Sequence, residues 1–156
     1  RHNLAISASF ALPWGIQLSG ITRFISGEPV SANTGLDLDG DTINVDRPAG
    51  LGPTVGRGDV QQQLDIINAY RATINLAPFT MDRIAVKPPA KSIDIRIAKR
   101  LDLGQGRRIE LFAEAFNVTN FVNVTGGASN IRLATFNLPT GAQDARQIQW
   151  GARFAF

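Results

Sequence analysis

Long stretches in which apolar and polar residues strictly alternate constrain the fold of this chain most. The clearest is 146–156, whose apolar parity holds Ile148, Trp150, Ala152, Phe154 and Phe156. Because a β-strand places every second side chain on the same face, this pattern predicts a strand with one apolar and one polar face. Its length matches the roughly 9–11 residues that a tilted strand needs to cross a bilayer.

Alternation of the same kind recurs along the chain and predicts five long strands. Their expected ranges are 3–12, 15–26, 91–103, 107–121 and 146–156. In the third of these, Ile95 lies on the apolar parity and Asp94 on the polar parity. The second alternates less regularly, because Ile21 falls on its polar parity.

The connections between these strands are alternately short and long. Residues 13–15 and 104–106 are short turns, whereas 27–90 and 122–145 are long loops rich in glycine and proline. Within the first loop, Asp59 precedes apolar residues at helical spacing, which predicts one amphipathic helix over about 59–73, packed on the loop itself. Short turns at one end of a sheet and long loops at the other are typical of outer-membrane barrels.

The pattern as a whole predicts an all-β fold. Five strands cannot close a barrel that has room for side chains inside. Residues 1–156 are therefore expected to form one partial outer-membrane β-barrel. It would be an antiparallel meander of five long strands, the C-terminal arc of a transmembrane barrel, with a long outer loop that contains one short helix.

Composition argues against several other functions. The net charge of +3 comes from Lys and Arg residues dispersed along the chain, so no nucleic-acid-binding stripe is expected. The chain has no cysteine, and its one histidine, His2, gives no support for a histidine-ligated metal or a Ser-His-Asp hydrolase. Glu110 and Glu114 lie about 13 Å apart along one strand, beyond the roughly 5–9.5 Å of paired glycosidase carboxylates. No enzymatic activity is expected.

An acidic cluster in the first loop is the one candidate metal site. Four carboxylates fall within ten residues: Asp37, Asp39, Asp41 and Asp46. Carboxylates suit a hard cation such as Ca²⁺, but Gly40 and Pro48 depart from the EF-hand pattern, and an acidic solvent-exposed turn is the alternative. Asp46 and its neighbour Arg47 are also candidate ligand contacts. Apart from calcium, no cofactor is expected.

Several short motifs follow one another along the chain. They are Ser-Gly-Glu-Pro at 26–29, Asp-Leu-Asp-Gly-Asp at 37–41, Asp-Arg-Pro at 46–48, Ser-Ile-Asp-Ile-Arg at 92–96, the segment 114–123, Arg-Gln-Ile-Gln at 146–149 and the final Phe156. Their order resembles the end of TonB-dependent outer-membrane receptors, with the Oar-like subgroup as the closest match. The resemblance spans essentially the whole chain.

The resemblance implies a location and a set of partners. Such receptors are 22-stranded barrels, plugged by an N-terminal domain, that import large scarce ligands across the bacterial outer membrane with energy passed through TonB. The implied partners are outer-membrane lipid, the barrel-assembly machinery, TonB through an N-terminal part outside this sequence, and an unidentified imported ligand. Phe156, with Phe154, resembles the terminal signal that the assembly machinery reads.

Two other classes of protein remain open from the sequence. One is a soluble or secreted all-β module that binds carbohydrate, and the other is a non-specific porin. The soluble module requires the apolar parity to be buried in a packed core, whereas a membrane protein requires that parity to face lipid.

Overall fold

The five long strands form one antiparallel sheet in which each strand pairs with the next one. The computed structural model describes residues 2–156, and its long strands are β1 (Asn3–Leu12), β2 (Ile16–Ile25), β3 (Ala90–Gly104), β4 (Arg107–Phe116) and β5 (Gln147–Ala155). Their order across the sheet is their order along the chain. The predicted antiparallel meander is confirmed.

Two tight connections join strands at one end of the sheet. Pro13–Gly15 forms a single 3-10 turn between β1 and β2, with Trp14 at φ 61° and Gly15 at φ 71°. The β3–β4 turn also needs positive φ, at Gly104, Gln105 and Gly106. Glycine adopts this conformation without steric cost, which explains its place in both turns.

The strand register gathers the apolar parities on one face of the sheet. One cross-strand row consists of Ala8, Gly20, Ile95, Ala115 and Ile148. Large side chains on this face are exposed, Ile95 to 40% and Trp150 to 86%. A soluble sheet would cover such a face, because exposed apolar patches of this extent are rare on soluble monomers.

The opposite face is polar and carries a cross-strand row of hydrogen-bonding side chains. That row consists of Ser9, Ser19, Arg96, Glu114 and Gln149. The Ser9 and Ser19 hydroxyls lie 3.1 Å apart, and Arg96 and Gln149 both donate to the Glu114 carboxylate. The two parities read from the sequence therefore correspond to two chemically distinct faces.

The fourth strand is shorter than the sequence pattern suggested. It ends at Phe116 rather than at 121, because Asn117 turns out of the strand at φ 48°. The Asn117 N–H donates to the Asp94 carboxylate at 2.9 Å, and the Asn117 side chain exchanges two hydrogen bonds with the backbone of Phe121. The other four strands differ from their expected ranges by one residue at most.

The two long connections fold together into a second compact unit, which we call the loop unit. It consists of a first segment, 27–88, and a second segment, 124–142. The first segment contains the strand pair Val30–Ser31 and Thr54–Val55, the helix α1 (Val60–Thr73) and the 3-10 turn Met81–Arg83. The second contains the pair Val124–Thr125 and Gly141–Ala142. The sequence analysis located both loops but did not anticipate that they share one compact unit.

The predicted helix is confirmed, and its start is set by Asp59. The Asp59 carboxylate accepts a hydrogen bond from the Gln62 N–H at 3.0 Å and caps the first turn. Leu64, Ile67 and Arg71 form the buried face of α1. No helix among residues 2–156 combines the length and hydropathy needed to span a membrane.

Candidate functional site

The acidic residues of the first segment lie on a compact loop, 36–46, which we call the acidic loop. Asp37 accepts from the N–H groups of Gly40, Asp41 and Thr42 at 2.6–3.2 Å. Asp46 Oδ2 accepts from Leu38 N and Asp39 N at 2.5 and 3.1 Å. The carboxylates thus organise the backbone of the loop, as aspartate side chains commonly do in turns.

Three of the four predicted carboxylates converge. One oxygen each of Asp37, Asp39 and Asp46 lies within 4.8 Å of the others. This spacing fits oxygen ligands around one calcium-sized cation, whose ligand distances are about 2.3–2.6 Å. Asp41 lies outside this group, and its Oδ1 accepts from the Ile43 N–H at 2.7 Å. The candidate site is therefore a three-carboxylate set, with Asp41 as a turn former.

The backbone donors also change the acidity of the loop. Hydrogen bonds from the N–H groups of Thr42 and Gly40 are the main reason that the pKa of Asp37 lies below its ordinary value. Asp37 therefore stays ionised at pH values at which an isolated aspartate would begin to take up a proton. The Asp37 carboxylate is therefore negative at neutral and mildly acidic pH.

Asp46 and Arg47 take different positions. The Asp46 side chain is half-buried and holds the acidic loop together, whereas Arg47 is exposed. Arg47 forms no ion pair with the neighbouring acids in the part of the chain that the structure describes. Of the two predicted ligand contacts, Arg47 is the freely accessible one.

Exposed apolar side chains surround the same carboxylates. Leu38, Ile43 and Val45 are each about half exposed, at 53%, 53% and 48%. The surface of the acidic loop therefore combines negative charge with apolar contact area, and both can contribute to binding a large ligand.

The second segment completes the hydrophobic core of the first. Ile131 and Phe136 are fully buried among core residues of the first segment, and the Phe136 ring stacks on Phe79 at 5.5 Å. Burial of two large apolar side chains contributes roughly 1.5–3 kcal/mol each. The two segments are therefore parts of one folded structure.

Two arginines of the first segment bind backbone carbonyls of the second. Arg71 Nη1 donates to the Ile131 carbonyl, and Arg83 donates to the carbonyls of Ala134 and Phe136. The guanidinium of Arg71 lies 3.7 Å above the Phe79 ring centroid. Burial, followed by the neighbouring charge of Arg83, lowers the pKa of Arg71.

Sequence reasoning missed both arginines as organising residues. Arg71 follows Ile67 by four residues and so falls on the apolar stripe of α1, which was a usable signal. Arg83 had no such signal, because its partners lie about fifty residues away along the chain. Backbone carbonyls as partners leave no trace in the sequence.

Arg96 bridges the two glutamates on the polar face. Arg96 donates to Glu114 and, at 2.9 Å, to Glu110 Oε1. Their carboxylates therefore converge on one guanidinium, even though their backbone positions lie four residues apart. Arg100 Nη2 also lies 3.6 Å from Glu110 Oε2, so two guanidinium groups offset the two carboxylates, and the pair is a structural element of the polar face.

The aromatic residues near the carboxyl terminus lie on the apolar face. The rings of Phe154 and Phe156 are 5.7 Å apart, and both side chains are exposed. Phe156 follows the last residue of β5 directly. Both rings are accessible to another protein or to lipid.

The exposed apolar face, the polar face behind it and the alternation of tight turns with long connections define a segment of a transmembrane β-barrel. The model of the outer membrane beta barrel domain family matches residues 2–149, and the chain belongs to that family. A search of curated proteins and a search of solved structures returned no significant match. The chain is thus located in the bacterial outer membrane, and a soluble carbohydrate-binding module is excluded.

Proposed function

We propose that the chain is part of a TonB-dependent receptor, of the Oar-like subgroup, that imports a large scarce ligand across the outer membrane. The order of motifs from 26–29 to Phe156 supports this assignment, because it extends through both the strands and the loops. The proposed activity is transport without catalysis. Energy would reach the receptor through TonB and an N-terminal part outside this sequence.

The observation that carries the proposal is the folded loop unit. Long loops that only connect two strands need no hydrophobic core of their own. These two loops share a core of buried residues and are joined by hydrogen bonds between the segments. A rigid scaffold that displays a preorganised surface is a common arrangement for binding. We place ligand capture on the acidic loop, with Arg47, Asp46 and the exposed Leu38 and Ile43 as contacts.

Measurement of ion conductance separates this proposal from the porin alternative. The full-length protein is reconstituted in a planar bilayer and its steady conductance is recorded. A plugged receptor should remain closed, whereas a porin has an aqueous channel and conducts immediately. Steady, unblocked conductance would refute the receptor assignment.

Replacement of loops tests ligand capture. Gly-Ser linkers replace both segments, 27–88 and 124–142, so that no core residue is left without partners. Assembly of the barrel should be retained, because loop closure depends only weakly on length, while growth that depends on the imported ligand should be lost. A shortened receptor that supports growth at the parental level would show that the loop unit is dispensable for capture.

The proposed role of the last aromatic residues is assembly. Phe156 is exposed and follows β5 directly, so it can contact the barrel-assembly machinery. Deletion of Phe156 should lower the amount of heat-modifiable barrel in the outer membrane. The control is Leu133→Ala, which shortens an exposed apolar side chain in the loop unit and should leave that amount unchanged. Equal amounts of barrel in the deletion and the parent would contradict this role.

A further inference from the structure

The second segment contacts the first just before the acidic loop begins. Asn33 N donates to the Ser129 carbonyl at 2.9 Å, and Ile131 N donates to the Asn33 carbonyl at 2.8 Å. The Asn33 side chain adds a bond to the Ser129 hydroxyl at 3.0 Å. Residues 129–131 therefore fix the backbone on both sides of Asn33.

The next residues transmit this placement to the acidic loop. Asn33 Oδ1 accepts from Gly35 N at 3.1 Å. Thr34 is fully buried, and its N–H and hydroxyl both donate to the Asp46 carbonyl, at 2.7 and 2.9 Å. Asp46 in turn holds the acidic loop through Leu38 N and Asp39 N. A continuous set of hydrogen bonds thus leads from Ile131 to the carboxylates.

The other end of this set is Arg71. Arg71 is only 4% exposed, and it donates from Nε to the Ala77 carbonyl at 2.7 Å and from Nη1 to the Ile131 carbonyl. The planar fork of a guanidinium can hold two carbonyls of different segments in a fixed geometry, which a point charge or an apolar chain cannot do. Arg71 has no carboxylate partner among residues 2–156.

We infer that Arg71 is a positioning residue of the acidic loop and that it acts through residues 129–131 of the second segment. The inference rests on the proposed capture function only for its biological meaning. Its physical content is that the arrangement of the Asp37, Asp39 and Asp46 carboxylates depends on a helix residue that touches none of them.

Hydrogen exchange of the full-length protein in lipid measures this dependence without any ligand. Arg71→Met keeps an unbranched apolar side chain in the core and removes both hydrogen bonds. Amides of 36–46 should exchange at least about tenfold faster, the factor expected from loss of a hydrogen bond to a charged donor. The N-terminal half of α1 should keep its parental exchange rate.

Arg57→Met is the matched control. Arg57 belongs to the same segment and also donates to a backbone carbonyl, that of Gly27 at 3.0 Å, but it is exposed, and among residues 2–156 it forms no hydrogen bond or ion pair with the second segment. It should leave exchange in 36–46 unchanged. Unchanged exchange in Arg71→Met, or faster exchange of the whole loop unit including α1, would overturn the inference, since the second result would make Arg71 a general core residue.

A double-substitution cycle tests the route. Asn33→Ala removes the side-chain bonds to Ser129 and Gly35 but leaves the core intact. If Arg71 acts through 129–131 and Asn33, the two substitutions should be non-additive in their effect on 36–46. Additive effects would overturn the proposed route through the Asn33 side chain. Because exchange is measured without ligand, a loop-replaced receptor that still imports its ligand would defeat the capture function and leave this result standing.

Discussion

The facing of the sheet gives the sharpest quantitative prediction, and Ile95 is the residue to change. Ile95 lies midway between Lys91 and Lys99 on the apolar face of β3. Four residues span about 13 Å, so at a tilt of about 40° each lysine lies roughly 10 Å from Ile95 along the membrane normal. Ile95 thus lies near the middle of an apolar band about 25 Å tall, whose edges long lysine side chains can reach.

Arginine at this depth should be costly. Ile95→Arg should lower the free energy of unfolding by about 2–4 kcal/mol, the cost of a cationic side chain at the bilayer midplane. The matched control is Ile21→Arg, the same change on the polar face. Ile21 pairs with Asp94 in the register, so the new guanidinium would share the Asp94 carboxylate with Arg23 on the polar face, and the cost should be about 1 kcal/mol or less.

Guanidinium titration of the full-length protein in lipid vesicles measures both values. Asp94→Arg would be a poorer control, because Asp94 already pairs with Arg23 at 3.3 Å and binds the Asn117 N–H. Its replacement would break both contacts and leave two arginines together with no carboxylate between them. Equal penalties for the two isoleucine substitutions, or a larger one for Ile21→Arg, would refute the assignment of the lipid face.

Three further predictions concern the sheet and the acidic loop. Gly151→Ala should destabilise the barrel by about 1–3 kcal/mol in the same titration, because its Cβ would lie 2.6 Å from a ring carbon of the cross-strand phenylalanine; Gly20→Ala, which meets an atom only at 3.4 Å, should cost much less. Added Ca²⁺ should slow amide hydrogen exchange in 36–46, and Asp39→Asn should reduce this slowing. Asp41→Asn should not reduce it, because Asp41 lies outside the three converging carboxylates. Because the pKa of Asp37 is lowered in the folded loop, its stabilisation of the loop is fully present above the ordinary aspartate pKa of about 3.9 and should be lost as the pH falls further, through the lower folded pKa. The loss should appear as a shift of the 36–46 amide resonances, and Asp37→Asn should not show this shift.

The strands could be predicted because each one shows its two-faced environment within its own short stretch of sequence. Each long strand has one face in lipid and one in a polar environment, so its period of two is visible in the residues themselves. The end of β4 was missed because apolar and polar residues still alternate just after Phe116, although Phe116 and Val118 lie on the parity opposite to that of Ile109. Asparagine adopts positive φ more readily than most residues. At Asn117 this ends the strand, although the pattern of apolar residues alone predicts that the strand continues.

The loop unit could be predicted only in part. The start of α1 could be predicted, because Asp59 is a typical N-cap residue directly before the apolar residues of the helix. The association of the two segments was not visible, because it depends on contacts such as Phe136 with Phe79, which are far apart in the chain and follow no period. The acidic cluster was likewise found by composition, whereas the exclusion of Asp41 depends on which backbone N–H groups each carboxylate meets.

The sheet and the loop unit are stabilised by different interactions. This explains why the sheet could be predicted from the sequence and the association of the two loop segments could not. In the sheet, the apolar side chains stay exposed and the hydrogen-bond ladder satisfies the backbone, as a bilayer requires. In the loop unit, Ile67, Ile84, Ile131 and Phe136 are withdrawn from water into one core. Outside α1, whose buried residues follow the helical period, a core of this kind can be assembled from any segments that meet, so it sets no period on the rest of the loop sequence. It does require its members to fit together, because a larger side chain at 136 would have to be accommodated by residues of the first segment. The second segment therefore cannot be exchanged alone for a loop of another outer-membrane barrel without loss of the surface that the first segment displays.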